Sequence, residues 1–268
     1  MNEHRDLALE EKIQQALDVG NHVWVIGDVH GYFETLQELL EKLDYTDDDI
    51  IIFMGDLIDK GPKSKSVFEL VVKSENFFSI RGNHEEMLRL SLTPKYKGRM
   101  KKSWLKYGGQ HTLNSISQDE ELALKEAANW IPLIEAMPTE LVLKDFRIVH
   151  AGYNPISNLE SQTNKDRMWN REIFEWENIF DSQRQIIVGH TPIQTLGCSP
   201  NDGIWEGKLR LKDGRSSVVC IDGGVALPGS DSALIAYNLL DNTLRIQPKI
   251  EQDYFSVNLS KKPSFKRQ

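Results

Sequence analysis

Asp28 and His30 stand two residues apart just after a short apolar run, HVWVI (22–26). Residues at i and i+2 of an extended chain project to one side. One carboxylate oxygen and one imidazole nitrogen can therefore grip the same cation. Asp56 follows a second apolar run, DIIIFM (49–54), behind Gly55. A carboxylate there offers two oxygens and can bridge two ions. Asn83 follows FFSIR (77–81) and Gly82, His150 ends the run 141–149, and His190 follows Gly189. These three would complete a second ion's shell. Such mixed nitrogen and oxygen ligation suits Mn²⁺, Fe or Zn²⁺ better than Ca²⁺ or Mg²⁺ alone. Two cations held this way lower the pKa of bound water and make hydroxide available near neutral pH. Asp222-Gly223-Gly224 is a further polar strand end. His4, His22 and His111 lack this context and read as ordinary polar residues.

The elements that must position these side chains alternate. Residues 6–18 carry Leu7, Leu9, Ile13 and Leu17 at helical spacing, which predicts an amphipathic helix. The strand-like runs 22–26, 49–54 and 77–81 are each followed by a glycine-bearing loop and a helical pattern (GYFETLQELLEKL, SVFELVVK, EEMLRL). That order predicts right-handed βαβ units and a parallel sheet covered by helices. Ligands of such sheets bind beyond the carboxyl ends of the strands, where the polar residues cluster here. After residue 140 the pattern changes. LVLKDFRIVHAG, RQIIVGHTP, SSVVCIDGG, ALIAYNLL and TLRIQP are five strand-like runs joined mostly by turns. They predict a second sheet packed on the first. Residues 86–139 are the least patterned stretch, with one predicted helix near 119–130. The expected organisation is one domain over residues 1–256 and a polar, basic tail over 257–268.

Composition narrows the function. The chain has 268 residues, 40% of them hydrophobic, and a formal net charge of −8. That suffices for a sizeable core and argues against a nucleic-acid duplex as partner, which needs a basic surface. Cys198 and Cys220 form no CxxC pair, so a reducing compartment is the default. No signal-peptide pattern opens the sequence and no run approaches a membrane span. A cytoplasmic protein with no membrane partner is expected.

GDVHG (27–31), GDLIDKGP (55–62), RGNHE (81–85), HAG (150–152) and GHTP (189–192), in that order, resemble the motif set of the phosphoprotein phosphatase (PPP) family of metallophosphoesterases. The resemblance spans residues 22 to 240, and its spacing is similar to that of the compact bacterial members. It implies a four-layer α/β/β/α sandwich of the calcineurin-like type. It implies two divalent ions, most readily Mn²⁺, one held by Asp28, His30 and Asp56, the other by Asp56, Asn83, His150 and His190. It assigns His84 as general acid, Asp59 as the carboxylate orienting it, and Arg81 as a phosphate-binding arginine. Arg171, in MWNRE, matches a second phosphate arginine. The implied reaction is direct in-line attack on phosphorus by hydroxide held between the ions.

One position departs from the family. Lys60 stands where arginine is usual, and a point charge replaces a forked, bidentate grip. This lysine is also similar to the pattern of some ApaH-like phosphatases, and the segment Trp104–Leu113 resembles one found in both bacterial protein phosphatases and ApaH-like enzymes. The expected substrate is a phosphoprotein, as phosphoserine or phosphothreonine, or else a phosphorylated small molecule. The alternative is symmetrical hydrolysis of bis(5'-nucleosyl) tetraphosphates. An inactive phosphoprotein scaffold is disfavoured, because every expected ligand is present. A nuclease is disfavoured because Pro192 stands where those enzymes carry a further histidine.

Overall fold

The computed structural model describes residues 4–95 and 97–252. The tail over 257–268 lies outside the described residues. Chain order is α1 (Leu7–Asp18), β1 (Val23–Ile26), α2 (Phe33–Leu43), β2 (Ile50–Phe53), α3 (Ser64–Lys73), β3 (Phe77–Ser79) and α4 (Asn83–Leu92). Then come α5 (Lys97–Trp104), a π-helical turn (Leu105–Gly109), α6 (Gln110–Ile116), α7 (Glu120–Ala128) and α8 (Ile131–Ala136). The remainder is β4 (Glu140–Val142), β5 (Phe146–Val149), α9 (Asn164–Trp169), β6 (Gln185–Val188), β7 (Trp205–Glu206), β8 (Val218–Cys220), β9 (Ala233–Asn238) and β10 (Leu244–Pro248).

Two five-stranded sheets result, ordered β10-β9-β1-β2-β3 and β4-β5-β6-β8-β7. Strands β1, β2 and β3 are parallel, as are β5, β6 and β8, while β9, β10, β4 and β7 join antiparallel at the flanks. The two-residue period of a strand sorts the core. Trp24, Ile26, Ile51 and Phe53 face α2, α3 and the helices of 83–136. Val23, Val25, Ile50 and Ile52 face Ile148, Ile186, Val188 and Val219 of the other sheet. Helix α1 begins at an Asp6 cap and closes one edge, where Glu10 and Gln14 accept the backbone N–H groups of Val142 and Lys144. Around the outside of the second sheet, Ile173, Phe174, Phe180 and Trp205 pack on its core. The expected α/β sandwich is the observed one.

Three expectations need correction. ALIAYNLL and TLRIQP do not join the second sheet. They form β9 and β10, and β9 pairs with β1 in the first. A run buried on both faces, as β9 is, fits either sheet equally well, so its pattern could not choose. LVLKDFRIVHAG is a hairpin, β4 and β5, turned at Leu143–Phe146. Residues 86–139 hold a succession of short helices rather than one, each too short to show a clear period.

Candidate dinuclear metal centre

The carboxyl ends of both parallel triplets meet at one place. The loops after β1, β2 and β3 bring Asp28 and His30, Asp56, and Asn83 and His84. Those after β5, β6 and β8 bring His150, His190 and Asp222. All eight side chains are buried. The ligand atoms of His30, Asp56 and His84 lie within 4.8 Å of one another, as do those of Asp56, His150 and His190. Asp56 belongs to both triads. Its Oδ2 is 3.6 Å from His30 Nε2 and its Oδ1 is 3.4 Å from His150 Nε2. Asp28 Oδ2 is 4.0 Å from His30 Nε2.

Backbone strain is concentrated here. Of seven non-glycine residues with positive φ among the described residues, five are His30, Asp56, Asp59, Lys60 and His190. L-residues adopt this region at a cost, so the surrounding bonds must hold them. The loops interlock: the N–H groups of Val29 and His30 donate to Asp56 O, and that of Gly31 to Leu57 O. Gly189 lets the second sheet approach. A Cβ there would stand 2.3 Å from Asp28 Oδ1, the atom that accepts the His190 N–H at 3.0 Å.

The donor set fits divalent cations. His30 Nδ1 donates to Ile58 O at 3.0 Å and His150 Nδ1 to Met54 O at 2.7 Å. This is how ligating histidines are oriented, with Nε2 left as a lone pair. Burial holds the His30, His150 and His190 imidazoles below their usual pKa, aided at His30 by Lys60 and at His190 by His150. They are therefore neutral. The lone pair of His150 Nε2 then faces Asn83 Oδ1 at 2.9 Å, acceptor against acceptor, and His190 Nε2 is buried without a hydrogen-bond partner. Burial, with Asp222 and Asp56 adding to it, pushes Asp28 well above the carboxylate range. Burial also pushes Asp222 up to about 6. Burial opposes ionisation of Asp56 too, yet it lies below the usual range, with the Lys60 charge among the groups that favour its carboxylate. Converging lone pairs and crowded buried carboxylates are what a cation relieves.

Around the cluster, His84 Nδ1 bonds Asp59 Oδ2 at 2.7 Å, leaving Nε2 3.8 Å from Asp56 Oδ2. Lys60 Nζ lies 2.7 Å from His30 Nε2, its donor on that lone pair. The Arg171 Nε–H donates to Thr191 Oγ1 at 3.1 Å. Burial lowers its pKa, against the pull of Asp222, Asp56 and Asp28, so its charge faces the cluster. Arg81 is placed differently. Its guanidinium donates to Glu135 O at 2.8 Å, Met137 O at 3.3 Å and Glu86 Oε2 at 3.3 Å. The charges acting on it are Glu86, Arg89 and Glu135, so the structure turns it away from the ligand cluster.

Several residues at the site escaped sequence reasoning. Trp104 Nε1 donates to Asp59 Oδ2 at 2.9 Å, Thr112 Oγ1 donates to Asp59 Oδ1, and the Asp59 N–H goes to Ser64 Oγ at 3.0 Å. The resemblance of 104–113 to other phosphatases was the available signal, but not what it touches. Asp222 lines a cavity of about 70 Å³ with His30, Lys60, His190, Pro192, Gly224, Ala226 and Leu227. A larger cavity of about 300 Å³, between Phe174, Trp176 and Trp205, is lined by none of the clustered ligands.

The comparisons agree with this geometry. Residues 22–225 match the calcineurin-like phosphoesterase family, and the chain belongs to that family of metal-dependent hydrolases. It is 31% identical over 196 residues to serine/threonine-protein phosphatase 1 of Salmonella typhimurium, covering 69% of this chain and 86% of that protein. It is 28% identical over 205 residues to the asymmetrical bis(5'-nucleosyl)-tetraphosphatase PrpE of Halalkalibacterium halodurans, covering 63% of this chain and 78% of that protein. A crystal structure described as that of a candidate diadenosine tetraphosphatase superposes with a TM-score of 0.58 at 19% identity, over 87% of this chain and 96% of the other. At that identity it speaks to the fold alone.

Proposed function

We propose that the chain is a phosphomonoesterase acting on phosphoserine and phosphothreonine in proteins. The observation that carries this reading is the pair of cations that face the cluster, Lys60 and Arg171. Two such charges match the dianion of a phosphomonoester. The likeness to a Salmonella protein phosphatase supports it.

In this reading Asp28, His30 and Asp56 hold one divalent ion, and Asp56, Asn83, His150 and His190 the other, with Mn²⁺ the favoured metal. Such a pair, when bound, supplies Lewis-acid charge and lowers the pKa of water so that hydroxide is available at neutral pH. Arg171 offers its free guanidinium edge to the phosphoryl oxygens, and Lys60 adds a second charge as phosphate draws it off His30. Both offset negative charge in the transition state. His84, steered by Asp59, gives its Nε2 proton to the leaving oxygen. Arg81 contributes by holding α4 to residues 135–137 rather than by touching phosphate. The unpaired cysteines fit a reducing, cytoplasmic setting. Among the described residues no helix is long and apolar enough to cross a membrane.

A second reading, hydrolysis of dinucleoside polyphosphates, is favoured by the likeness to an asymmetrical tetraphosphatase and by Lys60. Parallel turnover assays in Mn²⁺, with phosphopeptides and with diadenosine tetraphosphate, decide between them. Faster turnover of the dinucleotide would overturn the first reading.

A further inference from the structure

Glu85 is completely buried, yet neither the cluster nor the proton path uses it. Its carboxylate is nonetheless filled by backbone donors from two loops. Oε2 accepts the N–H of Asp56 at 2.8 Å and of Gly82 at 3.0 Å, and Oε1 accepts the N–H of Leu57 at 2.8 Å. The exchange is reciprocal. Asp56 Oδ1 accepts the N–H of His84, in the first turn of α4, at 2.9 Å. So α4 holds the Asp56 loop through a side chain, and the Asp56 side chain holds the start of α4. The two loops are also pressed backbone to backbone. A Cβ on Gly82 would stand 2.3 Å from both Asp56 N and Asp56 Oδ1, and one on Gly55 would stand 2.3 Å from Gly82 N. Asp56 sits in this vice with φ 49°, a conformation that needs outside support.

We infer that Glu85 is a positioning residue for the metal centre: its three-way backbone clamp fixes the Asp56 carboxylate where both ligand triads can share it. It rests on the reading of Asp56 as bridging ligand, and it adds a residue that touches no metal. The three N–H groups belong to buried residues, so removing their acceptor leaves buried donors unpaired and frees the loop that carries the shared ligand. Groups that orient ligands from outside typically change metal affinity by about 10–100-fold when lost.

Two variants grade the effect. In Glu85→Gln the amide keeps one acceptor. Both carboxylate positions face an N–H, so its NH₂ must oppose a donor, least harmfully at Leu57. One bond is lost and two remain. Glu85→Ala loses all three. Calorimetric titration of metal-stripped protein with Mn²⁺ should show Kd raised roughly tenfold for Gln and about 100-fold for Ala. Ile13→Ala, a core truncation on α1 away from the site, serves as the control for plain destabilisation. It should lower Tm while leaving the Mn²⁺ affinity unchanged. Because Gln is isosteric, it tests the idea even where Ala does not fold. The inference is overturned if Glu85→Gln binds Mn²⁺ as tightly as wild type, or if Ile13→Ala weakens binding as much. Wild-type protein that takes up no Mn²⁺ would overturn the bridging-ligand reading itself, a distinct result.

Discussion

At the scale of single residues, His84 is held for one task by one bond. Its Nδ1 contact to Asp59 aims Nε2 at the cluster. His84→Ala should keep bound metal and lower kcat by roughly 10²–10⁴-fold on alkyl phosphates. The loss should shrink with p-nitrophenyl phosphate, whose leaving group needs less protonation. An equal loss on both, measured beside metal content, would remove His84 from the acid role. Lys60 tests the one departure from the family pattern. Its amine rests on the His30 lone pair, a place it must vacate once a cation takes that nitrogen. Lys60→Ala should lower kcat/KM on phosphopeptide and dinucleotide alike. Lys60→Arg should favour the phosphopeptide over the dinucleotide by about 1–2 kcal/mol, the range of a hydrogen bond to a charged group. If Lys60→Ala is neutral on every substrate, Lys60 does not face phosphate.

At the scale of elements, the helices of 83–116 do more than cover the first sheet. They supply the side-chain donors that meet the fully buried Asp59 carboxylate. Trp104 ends α5 and Thr112 lies on α6, separated by the π-helical turn whose Gly108 O accepts the Lys60 N–H at 3.4 Å. Trp104→Phe keeps an aromatic ring, though a smaller one, and deletes a donor to a buried carboxylate, a bond worth about 1.5–3 kcal/mol. The expected result is a lower Tm and a lower kcat on alkyl phosphates, with Mn²⁺ content unchanged. A variant with normal kcat and only a lower Tm would make Trp104 a core residue and nothing more.

The whole molecule is tied together by charges away from the site and, in our reading, by the ions within it. Chelation should abolish activity and Mn²⁺ restore it. Metal that binds only the folded chain stabilises it by about 2.7 kcal/mol at a hundredfold excess over Kd, so Tm should climb with Mn²⁺ concentration. A Tm indifferent to Mn²⁺ would contradict the two-ion centre. Acid sensitivity has a separate source. Burial raises the Asp181 pKa, but hydrogen bonds from Arg147 and the Gln183 N–H, with the Arg147 charge, outweigh it and hold it below the usual range. The folded value is thus below the unfolded one. The stability it contributes is present above about pH 4, the unfolded value, and is lost as pH falls through the folded value. The Tm difference between wild type and Asp181→Asn should therefore be full at neutral pH and fade below about pH 4. A difference that persists in acid would assign the effect to packing.

How much of this was written in the chain differs with the range of the interaction. Asp28, His30, Asp56, Asn83, His150 and His190 were legible because local rules place them. Each follows an apolar run and a glycine or a strand end, and parallel strands deliver their carboxyl ends to one edge. The βαβ half was legible for the same reason, since its periods switch cleanly from two to 3.6. Folding decided what local pattern cannot carry. Strand β9, apolar on both faces, joined the first sheet because β1 had an open side there. The RGNHE motif did not predict the direction of Arg81, because Glu86 and two carbonyls of the 135–137 segment claim its guanidinium. Glu85, Trp104 and Thr112 lie in segments that resemble known phosphatases, but the segments do not say what these side chains touch. Their roles are hydrogen bonds to groups 28 to 53 residues away, and only the packed structure brings those groups within reach.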